Sequence, residues 1–374
     1  MLFDIRIGEE SAGLVVDAWL CKPYILTAYK AVACSNCDRK EVISMRHIVK
    51  PQSMTDLVMQ YIKSNKRIQR PTMDLTLKAF EHLIESAGNI RPERLTFGDC
   101  ERFQQDILHA GCKPVTANIY VKTARPVLRW AMRNDWIPSD PFEHLRLFPA
   151  PAGEIRIYDR VEFERMLTGC RSRIWQGRLL LAKTAAMRRG EILNLTLRDI
   201  DFDKGVITIR PKKESRDTWE WTTKSKKFRQ VPLADAVGKF LTDFVLRDLP
   251  VKQPYLMLTG ERYDRIEQLR RTGLLSDRIR RCPDENWTKP FERIRARAGI
   301  HDGTFHDLRR TCITEWLESG LQPHEVKVLA GHASIETTMR YYVATRRALI
   351  DRARAASQKV IKPIGATRFE LVAS

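Results

Sequence analysis

From Met54 onward, apolar residues recur at the three- and four-residue spacing of an amphipathic helix. MTDLVMQYIKSNK and PTMDLTLKAFEHLIESAG both carry the pattern, and Pro71 suits the first turn of the second, where its missing N–H leaves no partner unmet. Thr96, followed three residues later by Asp99, has the form of a capping box and opens a helix that runs to His109. Tyr120, Ala124, Val127, Leu128 and Ala131 then share one face of a long helix, with Pro126 as a candidate kink. Four such helices predict a small all-α domain ending near Phe142.

The stretch FPAPAGEIR, with two prolines and a glycine, reads as a linker, assigned to residues 148–157. Beyond it the helical pattern resumes but is broken by strand signals. VITIR (206–210) and FRQVPL (228–233) are β-rich and flank a polar, lysine-rich connection, which predicts a hairpin or small sheet. The expected fold is mainly α with a small antiparallel β-sheet, in two domains. A helical domain covers residues 54–147 and a mixed α/β domain residues 158–358, with an N-terminal extension (1–53) and a C-terminal tail (359–374).

Charge changes this picture. The chain of 374 residues carries a formal net charge of +19. Residues 1–50 contribute +1, residues 51–152 contribute +3, and residues 153–374 contribute +15. The excess belongs to the C-terminal domain, where a polyanion should bind. Charge alone leaves DNA, RNA and a merely solvated surface open. The eight cysteines are scattered, which argues against a disulfide framework and for a reducing cytoplasm. No run of eighteen apolar residues occurs, so no membrane partner is expected.

Four segments of the C-terminal domain place a cation or proton donor at an element boundary. In TAAMRRGEILNL (184–195) the chain turns near Gly190, with Arg188 at the break and Glu191 three residues on, able to hold the turn. Alone, this segment would read as a surface ion pair. In TTKSKKFRQVPL (222–233), Lys224, Lys226 and Lys227 lie in a turn before a strand. A lysine there can donate a proton to a leaving oxygen when neighbouring cations lower its pKa; for Lys226 and Lys227 plain backbone contact with DNA is preferred. In TFHDLRRTCITEWLESG (304–320), His306 and Arg309 project from one side of a helical turn. In LAGHASIETTMRYYV (329–343), Gly331 closes a helix begun at Pro323, His332 follows, and Ser334 can cap a short helix holding Tyr341. Ile335, Thr338 and Tyr342 share a face of that helix, while Tyr341 points about 100° from Tyr342. That predicts Tyr342 in the core and Tyr341 presented.

The combination decides. Arginines, a lysine and histidines around a tyrosine suit a phosphate target, because phosphoryl transfer mainly needs positioning and stabilisation of charge on the non-bridging oxygens. A tyrosine nucleophile splits the exchange into two steps through a covalent intermediate. No aspartate cluster at metal-ligand spacing occurs, and no cofactor or metal is expected.

The ordered set TAAMRRGE, TKSKKFRQVPL, HDLRR and LAGHASIETTMRYY resembles the signature of the tyrosine recombinase or phage integrase family, which includes lambda-type and Xer-like site-specific recombinases. WAMRNDWIPSDPF (130–142) looks like the end of that family's core-binding domain, and the resemblance covers about residues 54–359. It implies a SAM-like helical core-binding domain and a catalytic domain that cleaves and rejoins DNA through a 3′-phosphotyrosine. By this resemblance Arg188 and Arg309 clamp the scissile phosphate, and Lys224 is the general acid for the 5′ oxygen. His306 assists proton transfer, His332 binds the phosphate, and Tyr341 attacks, with Glu191 in support. Lys226, Lys227, Arg229, Arg189 and Arg310 are expected to contact DNA. Double-stranded DNA, a homotetramer assembled on it and accessory DNA-bending proteins are the partners implied, in a prokaryotic cytoplasm and in the service of a mobile element. A catalytically dead relative that only occupies DNA is the alternative.

Two features depart from the family pattern. The glycine usual two positions before the first arginine is Ala186, and ESRDTWEW (214–221) lengthens the connection before Lys224. Residues 1–53 fit neither domain. Cys34-x-x-Cys37 has ligand-like spacing, but Cys21 is distant, so with His47 incidental cysteines are favoured over a zinc site. A translation start at Met45 or Met54, or a module for secondary DNA sites, are the other readings.

Overall fold

The computed structural model describes residues 49–65, 68, 70–149, 155–223, 228–284 and 287–344, together with 354 and 357. The chain divides into two compact units, Met1–Ala152 and Gly153–Ser374.

Among the described residues the first unit holds four α-helices, α1 (Met54–Ser64), α2 (Arg70–Ala87), α3 (Phe97–His109) and α4 (Pro114–Arg133). Local chemistry sets their starts. The Ser53 hydroxyl accepts from the Asp56 N–H at 3.1 Å, and Thr96 and Asp99 form the expected capping box. The apolar stripes meet in one core around Leu57, Phe80, Phe103, Val121 and Leu128. Pro126 lies inside α4 on its exposed side, where the lost N–H leaves a carbonyl that water can reach. Phe148, in the segment read as a linker, is tied to this unit: its N–H and carbonyl both pair with the Asn118 side chain at 2.9 Å.

The second unit opens with α5 (Arg160–Gly169), α6 (Arg173–Thr184) and α7 (Arg189–Leu193). Strands β1 (Ile200–Asp201), β2 (Val206–Ile209) and β3 (Arg229–Pro232) form an antiparallel sheet in that order. Then come α8 (Asp235–Arg247), α9 (Gly260–Arg271), α10 (Asp277–Arg281) and α11 (Thr288–Arg297), followed by α12 (Phe305–Glu318), α13 (Pro323–Ala330) and α14 (Ile335–Ala344). The fold is thus mainly helical with a small antiparallel sheet. Strand alternation turns Ile207, Ile209 and Val231 inward, onto a core shared with Leu179, Leu181 and Leu241.

The connection from β2 to β3 is less polar than its sequence suggests. Lys212 and Trp221 pair through both backbone bonds, at 2.7 and 3.0 Å, and Ser215 closes a turn with Thr218. Trp219 is fully buried, stacked on Tyr255 with centroids 3.7 Å apart, and its indole N–H donates to Asn194 at 2.9 Å. The inserted residues therefore build a small folded arm.

Candidate active site

The site is organised by the C-terminal end of α13. Pro323 begins this helix, and Gly331 ends it in the left-handed conformation at φ +64°. A helix leaves its last carbonyls without intrahelical partners, at the negative end of its dipole. Here each of three successive carbonyls accepts from a different arginine. Arg229 Nε donates to Leu329 O at 2.9 Å, Arg309 Nη2 to Ala330 O at 2.6 Å, and Arg188 Nη2 to Gly331 O at 2.7 Å.

These arginines come from three places. Arg309 lies on α12, whose start is fixed by Thr304 and Asp307: the Asp307 carboxylate accepts the Thr304 N–H at 2.6 Å. It is 2% exposed and also donates to the Ala186 carbonyl. Arg188 precedes α7, where its N–H and its Nη1 donate to the two oxygens of Glu191, at 2.7 and 3.0 Å. Arg229 opens β3 and pairs with the same carboxylate through both arms, at 2.8 and 2.6 Å.

Electrostatics follow from burial and these contacts. Burial alone would raise the Glu191 carboxyl, but the hydrogen bonds and charge of Arg229, with Arg188 and Arg309 beyond, hold it at about 2. Burial and the neighbouring Arg188 lower the Arg309 guanidinium to about 9, still a cation at neutral pH. Three guanidiniums against one carboxylate leave the cluster positive.

Both histidines are neutral there. Crowding by surrounding protein, then the charges of Arg309 and Arg310, push His306 to about 4, although its side chain keeps solvent access at the first turn of α12. Burial, then Arg309, Arg188 and Arg229, lower His332 to about 4. His332 Nδ1 lies 2.9 Å from the Thr338 hydroxyl, which fixes the ring. Neutral imidazoles can accept or pass a proton, and the guanidiniums can bind the oxygens of a phosphate.

Tyr341 lies against this cluster. It is 8% exposed and packs with Ala186, Cys312, Leu317, Val326 and Ala330. Its ring is near-parallel to that of His332, at 14° and 5.9 Å between centroids. The expectation that Tyr341 is presented outward is therefore corrected. Thr338 and Tyr341 form the inner face of α14, because the Thr338 hydroxyl is satisfied by His332 and so buries without penalty. The expected inner face was Ile335, Thr338 and Tyr342; Thr338 is indeed buried, while Ile335 is only half-buried. The side chain of Tyr342 lies outside the described residues.

Arg188, Glu191, Arg309, His332 and Tyr341 are thus brought together, with His306 one turn from Arg309. Lys224, Lys226 and Lys227 lie outside the described residues, as do Cys21, Cys34, Cys37 and His47. Arg229, expected to contact DNA, is instead buried and donates from all three of its nitrogens within the protein, Nε to Leu329 O and both Nη atoms to Glu191. Strand alternation carried the signal, since Arg229 shares the inward face with Val231. Arg189 is exposed, and Arg310 is half-buried and paired with Asp307 at 2.7 Å. The pairing of Thr338 with His332 and the part played by the Ala186 carbonyl went unread in the sequence.

The phage integrase family matches residues 159–347, half of the chain. The tyrosine recombinase XerC of Chlamydia trachomatis serovar D is 27% identical over 223 residues, covering 57% of this chain and 62% of that protein. The chain thus matches less than two thirds of that relative's length. XerC of Chlamydia caviae is 24% identical over 313 residues, covering 76% of this chain and 91% of that protein. Among solved structures, the Tn1549 transposon integrase in complex with a circular intermediate DNA superposes with a TM-score of 0.61 at 17% identity, covering 81% of this chain and 100% of the other. A lambda integrase dimer bound to a COC′ core site gives a TM-score of 0.58 at 16% identity, covering 77% and 95%. These two likenesses concern the fold. With the family matched over half its length and the motif residues gathered at one helix end, the chain belongs to the phage integrase family.

Proposed function

We propose that the protein is a site-specific DNA strand transferase working through a tyrosine. The carrying observation is that Arg188, Arg309 and His332 converge on the end of α13 with Tyr341 packed against them. In the reaction the Tyr341 phenol oxygen bonds to the scissile phosphorus and the bond to the 5′ oxygen breaks. A 3′-phosphotyrosine and a free 5′ hydroxyl result. The phenol proton passes to His306, and Lys224 supplies a proton to the leaving oxygen. Arg188 and Arg309 hold the non-bridging oxygens, with His332 beside them. Attack by a second strand's 5′ hydroxyl reverses these transfers and rejoins DNA. One phosphodiester is exchanged for another through the enzyme, so bond energy is conserved.

Arg189 and Arg310, with Lys226 and Lys227, are read as DNA contacts. The proposed setting is a tetramer on double-stranded DNA in a prokaryotic cell, aided by DNA-bending proteins and acting in recombination of a mobile element. Names of the relatives support recombination: the curated ones are tyrosine recombinases and the solved ones integrases bound to DNA.

The test uses a pool of duplexes with randomised central sequence and a nick in one strand, incubated with the full chain in chelator. Loss of the short fragment beyond the nick traps the cut state. Recovery of a protein–DNA adduct, mapped by peptide mass to residues 335–344, is expected. A folded protein that binds the pool but yields no adduct would establish the DNA-occupying relative instead.

A further inference from the structure

The Glu191 carboxylate is filled. Its Oε1 accepts from Arg188 Nη1 at 3.0 Å and Arg229 Nη1 at 2.8 Å; its Oε2 accepts from the Arg188 N–H at 2.7 Å and Arg229 Nη2 at 2.6 Å. A carboxylate offers about four lone-pair sites, so none is left over. The two arginines use it differently. Arg229 takes it as a fork, with two near-parallel bonds, while the Arg188 guanidinium touches it with one arm and gives the other to Gly331 O.

We propose that Arg229 is a positioning residue that keeps Arg188 available to DNA. By holding the Glu191 fork it prevents Arg188, three residues away in sequence, from closing on that carboxylate with both arms. The inference rests on the reading of Arg188 as a phosphate clamp. Arg229 itself is buried, tied by Nε to Leu329 O and packed on Gly331, where a Cβ would come within 3.0 Å of its Cδ and Nη1. All three of its nitrogens are thus engaged within the protein. Arg188, by contrast, keeps 30% of its side chain exposed. Were the fork vacated, a buried carboxylate would be short of two donors, and it would recruit the nearest guanidinium to replace them. Arg188 is that guanidinium, and each N–H it gave to Glu191 would be withdrawn from the phosphate.

The test measures the single-turnover rate of covalent capture on the nicked duplex recovered from the randomised pool. Arg229→Met should slow capture by roughly 100-fold, the effect of misplacing a positioning group by about 1 Å. Arg229→Lys keeps the charge but loses the fork, and should be nearly as slow. The double variant Arg229→Met with Glu191→Gln removes the carboxylate that captures Arg188 and should regain about tenfold or more over Arg229→Met alone. A residue that merely stabilised the fold would show no such recovery. Three results overturn the proposal: Arg229→Met capturing within about threefold of the parent chain, Arg229→Lys matching it, or a cooperatively unfolding double variant no faster than the single. Arg188→Ala separates the two claims, since undiminished capture there sinks the clamp reading itself, whatever Arg229 does.

Discussion

The imidazole of His332 and the phenol of Tyr341 are near-parallel, 14° apart in plane with centroids 5.9 Å apart. The same imidazole is tied to Thr338, one turn before Tyr341 on α14. The His332 backbone is held to α13, its N–H donating to Lys327 O at 3.0 Å, so this one imidazole links the end of α13 to the helix that carries Tyr341.

The histidines give a pH signature. His306 and His332 fall from 6.5 to about 4 in the folded chain. Between those values the unfolded chain binds more protons than the folded one, so stability declines as pH drops from 6.5 towards 4 and is unaffected by these groups above that window. Imidazole resonances followed by NMR should stay close to those of neutral rings down to about pH 5 and move with a midpoint near 4. Either ring titrating near 6.5 would remove it from the cluster as described.

Ala186 carries a backbone cost. Its φ is +46°, the left-handed region that favours glycine, and it is fully buried. Ala186→Gly relieves the conformation but loses a buried methyl and adds freedom to the unfolded chain, so stability should change by no more than about 1 kcal/mol. Ala186→Val adds a branched side chain to a strained, filled site and should destabilise by about 2–4 kcal/mol. Urea unfolding measures both; a tolerated valine would contradict the geometry.

The folded arm before the lysine turn should matter to stability. Trp219→Ala removes a buried ring stacked on Tyr255 and leaves the Asn194 carbonyl without its indole donor. A loss of about 3–5 kcal/mol is expected, seen as a lower urea midpoint with an unchanged slope. A loss under about 1 kcal/mol would mean the arm is peripheral.

The helices and the β2–β3 pairing were legible because their signals are local: period, caps and β-branched runs. The Thr96–Asp99 box and the Gly331 stop appear as written in the residues. Arg188, His306, Arg309, His332 and Tyr341 were legible through motif spacing. What stayed hidden depends on long-range partners. Arg229 looks like one more surface cation until Glu191, 38 residues away, is seen to meet it. Spacing places Thr338 on the inward face with Ile335 and Tyr342, but its partner His332, which satisfies its hydroxyl, cannot be read from that spacing. Trp219 and Trp221 sit in a stretch of charged residues, and only Tyr255 and the core reveal that the stretch folds inward.

The central claim is that Tyr341 forms the bond to DNA, and one substitution tests it most directly. Tyr341→Phe keeps the ring packed against His332 and removes only the hydroxyl, so folding and DNA retention should persist while covalent capture of the nicked duplex disappears. Tyr342→Phe, measured beside it, should still form the adduct. An adduct surviving in Tyr341→Phe, or lost instead in Tyr342→Phe, would contradict the account.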